Sequence, residues 1–371
     1  MRRYYLLVIL IGTCSLNGQV KDTVVAKQEI IARTLEVFKR FKDLKANQKE
    51  YEGAIIEEIQ LSIPLQQPAA SGDAFYLKQL AQKSLTGDLG KEGPATLMPE
   101  VDGKNAARLT GPSQYDSRIE PLVLNSEIPW QKQILINSES VGIIVEREKL
   151  NAVSKEIYQL DIYLKLGERY NLCSGEAFAY QPVTGVGTAF ISGDSTMITA
   201  LHVFERPLKH YAVVFGYKII SRTGVVDVFV DKKDVYFLKE VIRKNSEQDV
   251  AEFTVDQSFN RPALAFENSE AVTKEKNEVY MIGYPSGMPL KVSLNASVTQ
   301  NDNPFYFYTT LDSFQGNSGS PVFNFYTHKV IGILVSGEID YKFNGHCNTA
   351  PVCFYPFCKG EKVVRIENVF N

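Results

Sequence analysis

From Ser138 to the C-terminus the sequence is a succession of short runs rich in β-branched and aromatic residues, and this texture limits the possible folds more than any other feature. Val141-Gly142-Ile143-Ile144-Val145 is the first run. Residues 158–166 then alternate Tyr158, Leu160, Ile162, Leu164 and Leu166, the two-residue period of a half-buried strand. Residues 187–192 and 197–200 read as a hairpin turning at Gly193-Asp194, because Gly and Asp favour such turns. Further candidate strands are 212–215, 225–230, 235–238, 251–255, 279–282, 305–310, 322–325 and 330–335. With little helix between them, strands at this spacing predict a mainly β fold, a sandwich or a barrel.

The chain before Ser138 has a different texture. Arg2 and Arg3 precede an apolar run from Tyr4 to Gly12, which is too short to span a bilayer and reads as an export signal over residues 1–18. The expected compartment is therefore periplasmic or extracellular. Ile11-Gly12-Thr13-Cys14 resembles a degenerate lipoprotein box, with threonine as a departure, and leaves a lipid anchor at Cys14 as the alternative membrane contact. Ile31, Leu35, Phe38, Phe41 and Leu44 recur at helical spacing, predicting an amphipathic helix over 23–51. A short helix over 75–85 and a loop over 87–112, where glycine, proline and lysine accumulate, complete a helical and linker segment, 19–137, with a pro-region as one role for it. A second domain then spans 138–371. A net charge of −3 over 371 residues gives no reason to expect nucleic acid or an anionic membrane as partner.

Three motifs carry chemistry. In Gln315-Gly316-Asn317-Ser318-Gly319-Ser320-Pro321 the glycines free the backbone to bend around one hydroxyl and let main-chain N–H groups face a developing oxyanion. A serine needs a base, and the base an orienting acid. Upstream, His202 follows Met197-Ile198-Thr199-Ala200-Leu201, and Asp249 heads the alternating run Val250-Ala251-Glu252-Phe253-Thr254-Val255. The other histidines, His210, His328 and His346, lack such a context, as do Asp227, Asp231 and Asp234 among the acids.

Thr-Ala-x-His, then Asp-Val-Ala, then Gly-Asn-Ser-Gly-Ser-Pro resemble, over roughly 140–371, the chymotrypsin-like serine peptidases, with the glutamyl-endopeptidase and Htr-type branch as the subgroup sharing Asn before the serine. The order His, Asp, Ser sets the chain apart from subtilisin-type enzymes and from α/β-hydrolases. The resemblance implies two six-stranded antiparallel barrels with the site between them. It implies an exported endopeptidase acting on protein or peptide substrates through an acyl-enzyme, with neither metal nor cofactor. His202 would be the base, Asp249 the orienting acid and Ser318 the nucleophile, with the N–H groups of Gly316 and Ser318 as the oxyanion hole. Ser336 and Gly337 would pair with the substrate backbone. Asp312, six residues before the serine, would select lysine or arginine from the base of the specificity pocket, unless its carboxylate turns away to bond backbone. Asn317 cannot form the ion pair that an aspartate makes with a freed N-terminus in trypsin. Glu252 replaces an apolar residue of the family and suggests an exposed strand edge.

Two other readings remain at this stage: a catalytically silent peptide- or partner-binding barrel, and an adhesion or assembly module carrying the protease. If Cys14 leaves with the signal, Cys173, Cys347, Cys353 and Cys358 form an even set suited to one or two disulfides near the C-terminal loop, with the connectivity open.

Overall fold

The computed structural model describes residues 116–369 apart from 163, 222–223, 273–274 and 352–358. The expected signal segment with Cys14, the helices over 23–51 and 75–85, the 87–112 loop, Cys353 and Cys358 lie outside the described residues.

Among the described residues, thirteen strands form the two main sheets. They are β1 (Arg118–Ile119), β2 (Val141–Glu146), β3 (Gly185–Ile191), β4 (Thr196–Ala200), β5 (Tyr211–Val214), β6 (Val235–Asn245), β7 (Val250–Val255), β8 (Glu278–Gly283), β9 (Lys291–Gln300), β10 (Tyr306–Thr309), β11 (Pro321–Asn324), β12 (Val330–Ser336) and β13 (Glu361–Arg365). The ladder β6-β7-β4-β3-β2-β5 closes on itself as a six-stranded antiparallel barrel. A second ladder, β9-β8-β11-β12-β13-β10, closes through the β9–β10 pairing. The fold is therefore mainly β, with the two six-stranded barrels that the family resemblance implies.

Burial explains the closure. Strands with both faces covered read as apolar runs, as β2 and β12 do. Phe190, Ile198, Val213 and Phe253 belong to a buried cluster that continues into Tyr280, Ile282 and Phe323 of the second barrel. Val279, Met281, Phe307, Val322, Ile331 and Val363 form a separate core. At about 25 cal/mol per Å² of apolar surface removed from water, such clusters dominate stability.

Two elements precede β2, before the expected domain start at 138. β1 pairs with the first half of β9, Arg118 opposite Ser293 and Ile119 opposite Val292, while β10 takes the second half of that edge. Helix α1 (Pro129–Ser138) begins with proline, whose missing N–H costs nothing at the first helical position. It buries Ile134, and its Asn137 Nδ2 donates to Tyr280 Oη at 3.1 Å and to the His328 carbonyl at 3.0 Å. Residues 116–138 are thus packed on the barrels.

The alternating stretch 158–166 is not one strand. It divides into Ile157–Leu160 and Leu164–Lys165, followed by the short helix Leu166–Tyr170. Leu160 and Leu166 are buried, but Leu164 is exposed. Within 225–230 only Phe229–Asp231 is extended as a strand. Glu252 also departs from expectation. It is only 5% exposed, because β7 lies inside the barrel wall between β6 and β4. Its carboxylate accepts from Ser192 Oγ at 3.0 Å and lies 3.6 Å from Arg243 Nε, so the charge is buried with partners. Cys173 and Cys347 form a disulfide across 174 residues, tying the 340s hairpin to the loop after Tyr170.

Candidate active site

The three motif residues meet where the barrels face each other. His202 lies on the turn Leu201–Val203 that follows β4, and Asp249 immediately precedes β7, so the β4–β7 pairing sets the two side by side. The Leu201 N–H donates to the Asp249 carbonyl at 2.9 Å. Asp249 itself has φ +58°, a left-handed conformation that aspartate tolerates better than most residues. The turn that brings it there is fixed by Asn245, whose Oδ1 accepts from the N–H groups of Glu247 and Gln248.

Both carboxylate oxygens of Asp249 point at the histidine. Oδ1 accepts from the His202 N–H at 2.9 Å, and Oδ2 lies 2.5 Å from His202 Nδ1. An acid at Nδ1 holds the ring proton there, which leaves Nε2 as an acceptor. Nε2 lies 2.9 Å from Ser318 Oγ.

Ser318 comes from the second barrel, on a loop whose carbonyls from Phe314 to Ser318 are all occupied. The Asn317 N–H donates to the Phe314 carbonyl at 2.9 Å, closing a turn with Gly316 at φ +92°. A Cβ on Gly316 would stand 2.7 Å from the Tyr284 carbonyl oxygen, so the site requires glycine by both conformation and space. The Gln315 carbonyl accepts from the Ser286 N–H, and the Asn317 carbonyl from the Ser320 N–H. Because C=O and N–H point in opposite directions across a trans peptide, these two bonds turn the N–H groups of Gly316 and Ser318 the other way. Among the described residues neither N–H donates to a backbone carbonyl.

The first barrel grips this loop through Thr188, a residue that sequence reasoning missed. Its N–H donates to the Ser318 carbonyl at 3.0 Å, and its Oγ1 donates to the Gly316 carbonyl at 2.8 Å while accepting from the Tyr284 N–H at 3.1 Å. Thr199 Oγ1 in turn donates to the Thr188 carbonyl at 2.7 Å. The available signal was a pair of threonines at fully buried positions of apolar strands, where a hydroxyl must find a partner.

A cavity of about 120 Å³ opens beside Ser318. Ser313, Phe314 and Gln315 line it together with Leu334, Ser336, Gly337 and Glu338, and Asp340 and Glu361 complete it. Ser336 and Gly337 therefore border Ser318, at the exposed end of β12. Asp340 accepts from the Gln315 N–H at 2.7 Å, and burial pushes its carboxyl up to about 6. Tyr341 closes against Phe314 and Tyr170, its phenol pushed up to about 12 by burial.

Asp312 is elsewhere. Its carboxylate is buried and accepts from the Ser117 N–H at 2.5 Å, and it does not line the cavity. The reason lies far upstream in the chain. Ser117 and Arg118 enter with β1, and the Arg118 guanidinium stacks 3.8 Å from the Phe314 ring centroid and 4.7 Å from that of Phe178. Arg118 is buried yet held charged by Asp116, which takes its Nε and Nη2 at 2.8 and 2.6 Å. Burial works to lower its pKa, but Asp116, with Asp312 and Tyr341 nearby, leaves it raised. Asn317 is fully buried.

Residues 187–333 match the family described as trypsin-like peptidase domain. That span contains His202, Asp249 and Ser318. No curated protein matches the chain. Among solved structures, the Rv3671c protease from M. tuberculosis in its active form is 16% identical, with 71% of this chain and 87% of that one covered and a TM-score of 0.38. The HtrA-type protease AlgW with a decapeptide is 16% identical over 65% of each chain, with a TM-score of 0.40. The chain thus carries a region that matches the trypsin-like peptidase domain, within a fold of two closed six-stranded barrels.

Proposed function

We propose that this protein is an exported serine endopeptidase in which Asp249, His202 and Ser318 act as one catalytic unit. One observation carries the reading: the unbroken chain from Asp249 Oδ2 to His202 Nδ1 at 2.5 Å and from His202 Nε2 to Ser318 Oγ at 2.9 Å. Ser318 Oγ attacks the scissile carbonyl carbon while His202 Nε2 takes the hydroxyl proton. The carbonyl oxygen becomes an oxyanion facing the N–H groups of Gly316 and Ser318, each such donor contributing about 3–4 kcal/mol to lowering the barrier. His202 passes the proton to the leaving amine, and the C–N bond breaks. Water then adds to the Ser318 ester, His202 again taking and returning the proton, and the acid product leaves with Ser318 restored. Asp249 keeps the ring in the tautomer and orientation that both transfers need.

Substrate is a peptide strand laid along Ser336 and Gly337, with its side chain before the scissile bond in the adjoining cavity and a preference there for lysine or arginine. Asn317 before the nucleophile supports the glutamyl-endopeptidase and Htr-type branch as the subgroup. The disulfide Cys173–Cys347 supports an oxidising compartment, as does the apolar run of the first residues. The packing of β1 and α1 supports a protease unit that extends upstream of 138 to include 116–137.

A fluorophosphonate probe reacts only with an activated serine and tests the reading directly. Covalent labelling at Ser318 in the full chain, abolished in Ser318→Ala, is the expected result. An unlabelled, folded parent chain would instead support the silent binding module.

A further inference from the structure

We infer that Glu361, deep in the cavity beside Ser318, is the residue that selects a lysine or arginine side chain before the scissile bond, in place of Asp312. The inference rests on the proposed peptidase reading and names the acid that acts in its specificity pocket.

Position comes first. Glu361 begins β13, and its side chain lines the same cavity as Ser318 and Gly337. It is 1% exposed, whereas Ser336 and Gly337 at the rim are open. A Cβ at Gly337 would stand 1.8 Å from Glu361 Oε2, so only glycine at 337 lets the carboxyl lie against the substrate-side strand. Among the described residues, no lysine, arginine or histidine lines the cavity. The Asp312 carboxylate bonds the Ser117 N–H and does not line the cavity.

Electrostatics then sets how the pocket behaves. Burial raises the Glu361 carboxyl well above the usual carboxylate range, and the neighbouring Asp340 and Asp312 push it in the same direction. Bonds from Ser313 and from the Glu338 N–H, the latter at 3.3 Å from Oε1, oppose that shift. The Glu338 carboxylate is occupied by the N–H groups of Lys359 and Gly360 at 2.7 and 3.2 Å. From β10 the residue opposite is Thr309, and beside Glu361 on its own strand is Lys362, which faces the Tyr306 ring. In the empty pocket burial therefore favours the neutral form of the acid over the carboxylate. A guanidinium or ammonium entering it supplies the counter-charge that burial denies the carboxylate, and Glu361 ionises as the cation binds. An arginine can meet both oxygens at once. One proton leaves for each cation bound, so affinity for a basic side chain rises with pH, by up to about tenfold per unit below the titration of the empty pocket.

The test measures binding apart from catalysis. Benzamidine, an amidinium that fits a lysine or arginine pocket, is titrated calorimetrically into the full chain at pH 6 and pH 8, in two buffers that differ in ionisation enthalpy. The parent should bind it, more tightly at pH 8, with proton release seen as a buffer-dependent heat. Glu361→Gln, which preserves size and matches the neutral acid, should weaken binding at least tenfold and remove both the pH dependence and the proton release. Asp312→Asn should bind within about threefold of the parent. Thermal unfolding of each variant verifies that it is folded. Failure of the parent to bind, or equal binding by folded Glu361→Gln, overturns the assignment, as does loss of binding in Asp312→Asn alone. Fluorophosphonate labelling on the same samples separates this from the catalytic reading. Labelling without benzamidine binding sinks only the Glu361 assignment, while Glu361-dependent binding without labelling sinks only the catalysis.

Discussion

Thr188→Val is the substitution that most sharply probes how the two barrels cooperate. Valine keeps the shape and removes only the hydroxyl. Thr188 Oγ1 joins the Gly316 carbonyl at 2.8 Å to the Tyr284 N–H at 3.1 Å, both at buried positions. Removing it leaves one acceptor and one donor without this partner, each costing about 1–3 kcal/mol when unsatisfied. A loss of about 2–4 kcal/mol in unfolding free energy is expected from urea denaturation with an unchanged slope. The same hydroxyl fixes the peptide that follows Gly316, so the loop that presents the Gly316 N–H loses its brace. If that donor is displaced for part of the time, a fraction of its 3–4 kcal/mol contribution disappears, and the rate of fluorophosphonate labelling should fall ten- to a hundredfold. The assay compares second-order labelling rates of parent and Thr188→Val well below their unfolding midpoints. A variant that loses stability yet labels at the parental rate would show that Thr188 only holds the barrels together. Unchanged stability and rate would refute the reasoning entirely.

Two further outcomes follow from buried charge. Lys291 and Glu120 are 1% and 0% exposed and lie 2.9 Å apart, with Gln181 bonded to both, so Glu120→Ala should cost about 3–5 kcal/mol of stability by stranding the ammonium; chemical denaturation measures it, and a loss below 1 kcal/mol would mean that the lysine finds water. Asp340 ionises near 3.8 when unfolded but at about 6 when folded, so the native state binds more protons between these values and its stability falls as pH rises through that window. Asp340→Asn should remove that part of the decline, and an unchanged pH profile of the unfolding midpoint would contradict the assignment.

What the sequence reveals depends on how local the determinant is. Thr-Ala-x-His and Gly-Asn-Ser-Gly-Ser-Pro are local signals, and the residues they single out, with Asp249, are the ones that lie together in the structure. Strand β9 was not anticipated, although Val292, Leu294, Ala296 and Val298 alternate within it. Serine, asparagine and threonine dilute that signal, Asn295 interrupts it at φ +56°, and Lys291 opens it with a charge. That lysine is at home in the interior only because Glu120 waits 171 residues upstream, a pairing no local window contains. Asp312 fails for the same reason. Its spacing to Ser318 fits the selector of the family, but Ser117 and Arg118 decide where its carboxylate goes. At Glu252 the family pattern points to an exposed edge, whereas Ser192 and Arg243 make its burial tolerable. Over 158–166 the alternation is real, but Leu166 is buried by a helical turn and not by a continuing strand. The short β13 gave no periodic signal, and with it Glu361 was missed.

The central claim is that Asp249, His202 and Ser318 act as one unit, and a double-mutant comparison of peptide hydrolysis tests it most directly. The rates of Ser318→Ala, His202→Ala and the double variant are measured on one peptide with a basic residue before the scissile bond. The account predicts that each single change removes nearly all turnover and that the double variant is hardly slower than either, since neither group works without the other. Losses that multiply, or a folded His202→Ala enzyme retaining most of its activity, would contradict it.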